Sequence, residues 1–101
     1  MANDSEIIVI GTASASAADM EELVTEALAH VLRSRQEDGC IAHGVSRDVE
    51  DPNRLVFVER WASRAALDLH FTQPGSAVLV EAVNRLQSAP PTLDIYEVAT
   101  R

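Results

Sequence analysis

A chain of 101 residues suits one domain, taken as 1–101, and leaves little room for two. With 47% apolar and 24% charged residues it can build a core and is not of a disordered type. Eight arginines against sixteen acidic residues give a net charge of −8, which excludes a generic nucleic-acid binder or a polybasic membrane binder, and the lack of lysine excludes Schiff-base and P-loop chemistry.

The N-terminal MANDSEII has neither a basic region nor a long apolar run, and no apolar segment reaches bilayer length, so a cytoplasmic location is expected. Residues 6–12, EIIVIGT, are a β-branched run of strand length, with Gly11 marking a bulge or a close approach. A helix is predicted over about 17–38, capped by Ser16. Met20, Leu23, Val24, Ala27, Leu28, Val31 and Leu32 form its apolar stripe, and Gly39 stops it. His30 falls on the polar side and is expected to be solvated.

Residues 40–47 and 54–61 read as a hairpin around the polar turn DVEDPN. The acidic residues there, Asp48, Glu50 and Asp51, lack the spacing and glycine of a calcium loop and read as a solvated turn. His43 shares an alternating face with Ile41 and Val45. Leu55, Phe57, Glu59 and Trp61 share one face of the second strand, and Val56, Val58 and Arg60 the other. Both faces are mostly apolar, so a second covering layer is expected, which another subunit would supply. Glu59 needs a partner if buried, and an ion pair with Arg60 or Arg64, within the chain or across a dimer, is the expectation. Cys40, the single cysteine, can form no intrachain disulfide, has no activating group nearby in sequence and is expected to pack.

Ser63 caps a short helix of about 64–72 on which Leu67, His70 and Phe71 fall at helical spacing. Pro74-Gly75 are expected to break it, and Ser76 to cap a further helix of about 77–87. Residues 92–99 form the last strand. The order β-α-β-β-α-α-β is a split βαβ arrangement of α+β class, ferredoxin-like, with an antiparallel four-stranded sheet and a divided second helix.

Residues 37–71 resemble the antibiotic biosynthesis monooxygenase domain. The resemblance lies in Gly39-Cys40 opening the second strand, Asp51-Pro52-Asn53 in the hairpin, Glu59-Arg60-Trp61 ending the third, and Ala66-Leu67-Asp68 with His70 on the next helix. It implies a homodimer in which two sheets close an α+β barrel with the helices outside. It also implies a monooxygenase acting with O2 on a small electron-rich aromatic, quinol- or anthrone-like, without metal, flavin or other cofactor. The substrate supplies the electrons, and the protein must take a proton, stabilise an anion and exclude water. His70 is the candidate catalytic residue, since an imidazole suits proton acceptance and its neighbours Leu67 and Phe71 turn it inward. Trp61, His43, Phe57, Phe71 and Leu67 are the candidate substrate-binding residues. Trp61 offers a flat wall with an N–H donor, and His43 stands where relatives often carry Tyr. Two departures stand out. Phe57 occupies the position of an Asn in anthrone-oxidising relatives, and the first strand lacks the Asn of haem-degrading ones. A barrel that only binds a small apolar or aromatic ligand is the alternative.

Overall fold

The computed structural model describes residues 5–99. Its elements are β1 (Glu6–Ser14), α1 (Met20–Ser34), β2 (Cys40–Arg47), β3 (Arg54–Trp61), α2 (Arg64–Phe71), α3 (Pro74–Leu86) and β4 (Thr92–Val98). The strands form one antiparallel sheet in the order β2-β3-β1-β4. The element order and the four-stranded sheet are those expected of the ferredoxin-like arrangement. Among the described residues no helix is long and apolar enough to cross a membrane.

The helices cover one sheet face. On β1 that face carries Ile7, Val9 and Ala13, and on β3 Leu55, Phe57, Glu59 and Trp61, all buried. Two apolar clusters form beneath the helices. Met20, Leu23, Ala27 and Val31 of α1 pack with Leu55, Phe57, Val83 and Leu86. Ile7, Val9, Trp61 and Leu67 form the second, with Cys40 against it. On β3, Glu59 stands between Phe57 of the first cluster and Trp61 of the second, so the junction between the clusters is polar.

Several local expectations are corrected. α1 starts at Met20 with Asp19 at the N-cap, because residues 16–19 close a turn in which the Asp19 N–H donates to Ser16 O. It ends at Ser34, and Gly39, at φ +86°, serves the turn into β2 instead of the helix end. α2 ends at Phe71, ahead of Pro74, but α3 begins at Pro74 with Gln73 and not Ser76 at its N-cap, because at the first helical position the missing N–H of proline costs nothing. The buried stripe of α1 is Met20, Leu23, Ala27, His30, Val31 and Ser34, while Leu28 and Leu32 are exposed. The helix is thus turned by roughly 60° from the orientation its apolar residues alone indicate. His30 is therefore buried, not solvated. In β2 a bulge between Cys40 and Ala42 places Cys40 opposite Trp61 and leaves Ile41 exposed. Cys40, not Ile41, joins His43 on the helix-covered face.

Gly11 makes the close approach expected of it. A Cβ there would sit 3.3 Å from Thr92 O and 3.4 Å from Leu93 Cδ1. β1 runs past β3 and β4 without a bulge at this point.

Candidate functional site

Three histidines from three elements meet at the polar junction. His30 comes from the inner row of α1, His43 from the centre of β2 and His70 from the last turn of α2. Each is 4% exposed or less. Their ring centroids are 5.1 to 5.7 Å apart. The Trp61 ring lies 4.6 Å from that of His70 and 6.2 Å from that of His43.

Backbone anchors fix two of these elements. Ser63 caps α2, its hydroxyl accepting from the Ala66 N–H at 3.1 Å. The buried Ser76 hydroxyl donates to His70 O at 2.7 Å, tying α3 to the end of α2. Arg35 Nε donates to His43 O at 2.9 Å, which holds β2 beside the end of α1.

Two carboxylates flank the rings. Glu37 Oε1 lies 2.9 Å from His70 Nδ1. A carboxylate can only accept, so that contact places a proton on Nδ1. Glu59 accepts from the Trp61 indole N–H at 2.9 Å. Its Oε1 is also 3.4 Å from His43 Nε2, near enough for charge attraction but out of line for a hydrogen bond. Burial pushes the Glu59 carboxyl up, but the His43 ring, the Trp61 N–H and His70 outweigh it and hold the group below its usual value. Neither arginine expected for Glu59 reaches it: Arg60 pairs with Glu6 and Arg64 with Asp68. Burial, with the His43 and His70 rings adding to it, pushes His30 down to about 4, so His30 is neutral at pH 7. Burial, then Glu37 and Glu59, push the Cys40 thiol up, and it packs as a small apolar group.

A mainly apolar cavity of about 270 Å³ opens between α3 and the sheet, with His30, His70, Glu59, Phe57, Phe71 and Leu79 among its walls. It lies near the lower end of small-molecule sites, about 300–1,000 Å³. Of the residues expected from sequence, His70, Phe57 and Phe71 face this space. Trp61 and Leu67, both fully buried, and His43 stand behind its wall. Sequence reasoning did not single out Glu37 as the His70 partner, His30 as a wall, or the polar Ser76 and Asn84 of α3. The long separation of Glu37 and His70 leaves no local pattern for the first of these.

The antibiotic biosynthesis monooxygenase model matches residues 6–82, from β1 into α3. The chain belongs to that family. This membership places it among monooxygenase-like proteins. A candidate antibiotic biosynthesis monooxygenase from Deinococcus radiodurans is 29% identical and superposes with a TM-score of 0.89, covering 94% of each chain. Another solved antibiotic biosynthesis monooxygenase, 28% identical, gives 0.85 over 93% of this chain and 99% of its own. A Mycobacterium tuberculosis protein gives 0.88 at 25% identity, over 96% of this chain and 98% of its own. An uncharacterised Synechocystis sp. protein is 33% identical over 96 residues, and the chain spans 65% of its length.

Proposed function

We propose that this family member is a cofactor-independent monooxygenase that oxidises a small, electron-rich aromatic of quinol or anthrone type with O2. The observation that carries the reading is His70, backed by Glu37, opening onto an apolar cavity. The substrate lies against Phe57, Phe71 and Leu79, with its acidic hydroxyl or methylene toward His70. His70 Nε2 takes the proton while Glu37 holds the other ring nitrogen and stabilises the imidazolium that forms. The apolar walls exclude water, which keeps the resulting carbanion or phenolate reactive toward O2. For an anthrone-type substrate a CH2 becomes C=O. One oxygen atom ends on that carbon and the other leaves as water, with all four electrons drawn from the substrate.

Phe57 gives the cavity an apolar surface where anthrone-oxidising relatives carry an Asn, so polar contacts to the substrate fall to other residues. Asn84 and Thr12 on the cavity wall supply them. A second copy of the chain is proposed as the partner, covering the sheet face that bears no helix.

An oxygen electrode with a panel of hydroquinones, naphthoquinols and anthrones tests the reading, after correction for autoxidation. Saturable uptake is expected for the native chain. His70→Ala should lower kcat about 100-fold or more, the usual contribution of a positioned base. Glu37→Gln should lower it less, because the ring keeps its place but loses the charge behind it. Uptake at the buffer rate across the panel would instead support the ligand-binding alternative.

A further inference from the structure

The meeting of His30, His43 and His70 has a use beyond proton transfer. One ring nitrogen of each lies within 4.8 Å of those of the other two. His30 Nδ1 and both nitrogens of His43 are buried without a hydrogen-bond partner. An unpaired buried polar atom forfeits its hydration without compensation, and natural cores hold few of them. Two adjacent rings, each with an unpartnered buried nitrogen, point to an occupant. His70 is arranged differently: Glu37 engages Nδ1, and among the described residues no hydrogen bond engages Nε2. A carboxylate behind the far nitrogen is the support that metal-ligating histidines commonly have. Glu59, held by the Trp61 N–H, stands in a similar relation to His43 at 3.4 Å.

We propose that His30, His43 and His70 bind one divalent first-row transition-metal ion, Zn2+ or a chemical relative, through one ring nitrogen each, with a fourth position open to the cavity. Three imidazoles suit zinc, copper, nickel or iron better than magnesium or calcium, which favour oxygen ligands. Ligands 2.0–2.1 Å from zinc stand about 3.3 Å apart in a tetrahedron, so nitrogens now up to 4.8 Å apart close in by up to about 1.5 Å on binding. The two carboxylates add the negative charge that retains a cation. An outer recess between α1 and the start of α3, with His30, Arg33 and Glu37 among its walls, brings solvent space to the His30 side of the triad. His30 and His70 also face the inner cavity, so the open position points to where a small molecule fits.

Ion and substrate proton would use the same His70 lone pair. Metal-loaded and metal-free protein are then alternative states of one site, and ion binding does not depend on the oxidation chemistry.

The test uses tag-free, chelator-treated full chain. Co2+ is titrated while the visible d–d band is followed, and Zn2+ is measured by equilibrium dialysis. One ion per chain is expected, with the strong band of low-coordinate cobalt. His30→Ala and His43→Ala should each abolish the band. Glu37→Gln, on the outer side, should fold normally and weaken binding about 10–100-fold. Circular dichroism checks each variant, and if an alanine variant does not fold, Glu37→Gln and His30→Leu carry the comparison. No ion bound by the native chain, or equal binding by native chain and variants, overturns the proposal. Oxygen uptake without ion binding would sustain the proposed oxidation and overturn the metal site, and ion binding without uptake would do the reverse.

Discussion

His30 is neutral because burial in the junction disfavours its charged form, and His43 and His70 beside it add to that effect. Its folded value, about 4, lies below the 6.5 of an unperturbed ring, so below pH 6.5 the unfolded chain takes up a proton that the folded chain refuses. Stability is fully present above pH 6.5 and is lost as the pH falls toward 4. Between pH 7 and pH 5 the loss attributable to this ring is about 2 kcal/mol. Urea unfolding of metal-free protein at the two pH values should show it, and His30→Leu should show a smaller difference. An equal pH dependence in native and variant would mean that His30 takes up its proton as readily in the fold as in the unfolded chain. Hydropathy could not reveal this residue. A histidine reads as polar in a helical pattern, and only the rings of β2 and α2, distant in sequence, make its inward position favourable. His70 was legible because Leu67 and Phe71 flank it on a short helix. Its partner Glu37 was not, because the contact joins the turn after α1 to the end of α2.

At the scale of elements, β2, β3 and α2 lie within a residue of the bounds the sequence indicates, because Gly39, the DVEDPN turn, Ser63 and Pro74 punctuate the chain around them. The orientation of α1 did not. Its buried row includes Ser34, whose hydroxyl is satisfied by His30 O at 2.7 Å and so can enter the core at little cost. The turn between α1 and β2 is where element and site meet. Gly39 has φ +86°, and a Cβ there would come 2.5 Å from Ala66 Cβ on α2. Its carbonyl also accepts from the Ala62 N–H at 2.8 Å. Gly39→Ala should therefore cost about 2–3 kcal/mol, part from backbone strain and part from the clash. Adding Ala66→Gly should recover the clash alone. Chemical denaturation of the two variants separates these parts, and full recovery in the double variant would remove backbone strain from the account. Glu37 lies two residues before Gly39, so the same change should also loosen the His70 contact.

For the whole molecule the question is what covers the second face of the sheet. Helices pack on one face only. The other presents Ile8 and Val56, half-buried, with Ile10 at 39%, Val58 at 49% and Tyr96 at 51% exposure. On β2 it presents Ala42, Gly44 and Ser46, and a Cβ on Gly44 would meet nothing within 4 Å. The Arg60–Glu6 pair, at 2.7 Å, flanks the same surface. An apolar centre with small residues at one edge and a charged rim fits a self-complementary contact about a two-fold axis. A small domain also gains from such a contact, since a chain of this length buries only roughly 60–70% of its surface alone. The mass in solution should therefore be near 22 kDa, twice the 10.9 kDa of one chain. Val58→Glu would place a carboxylate in the centre of that face, where burial without a partner is costly. It should shift the sedimentation profile to the monomer and make the native chain's concentration-dependent melting disappear. A native chain that sediments as a monomer at micromolar concentration would overturn the reading. The histidine junction lies on the opposite side of the sheet, so a folded Val58→Glu monomer should keep its ion stoichiometry even as it loses its partner.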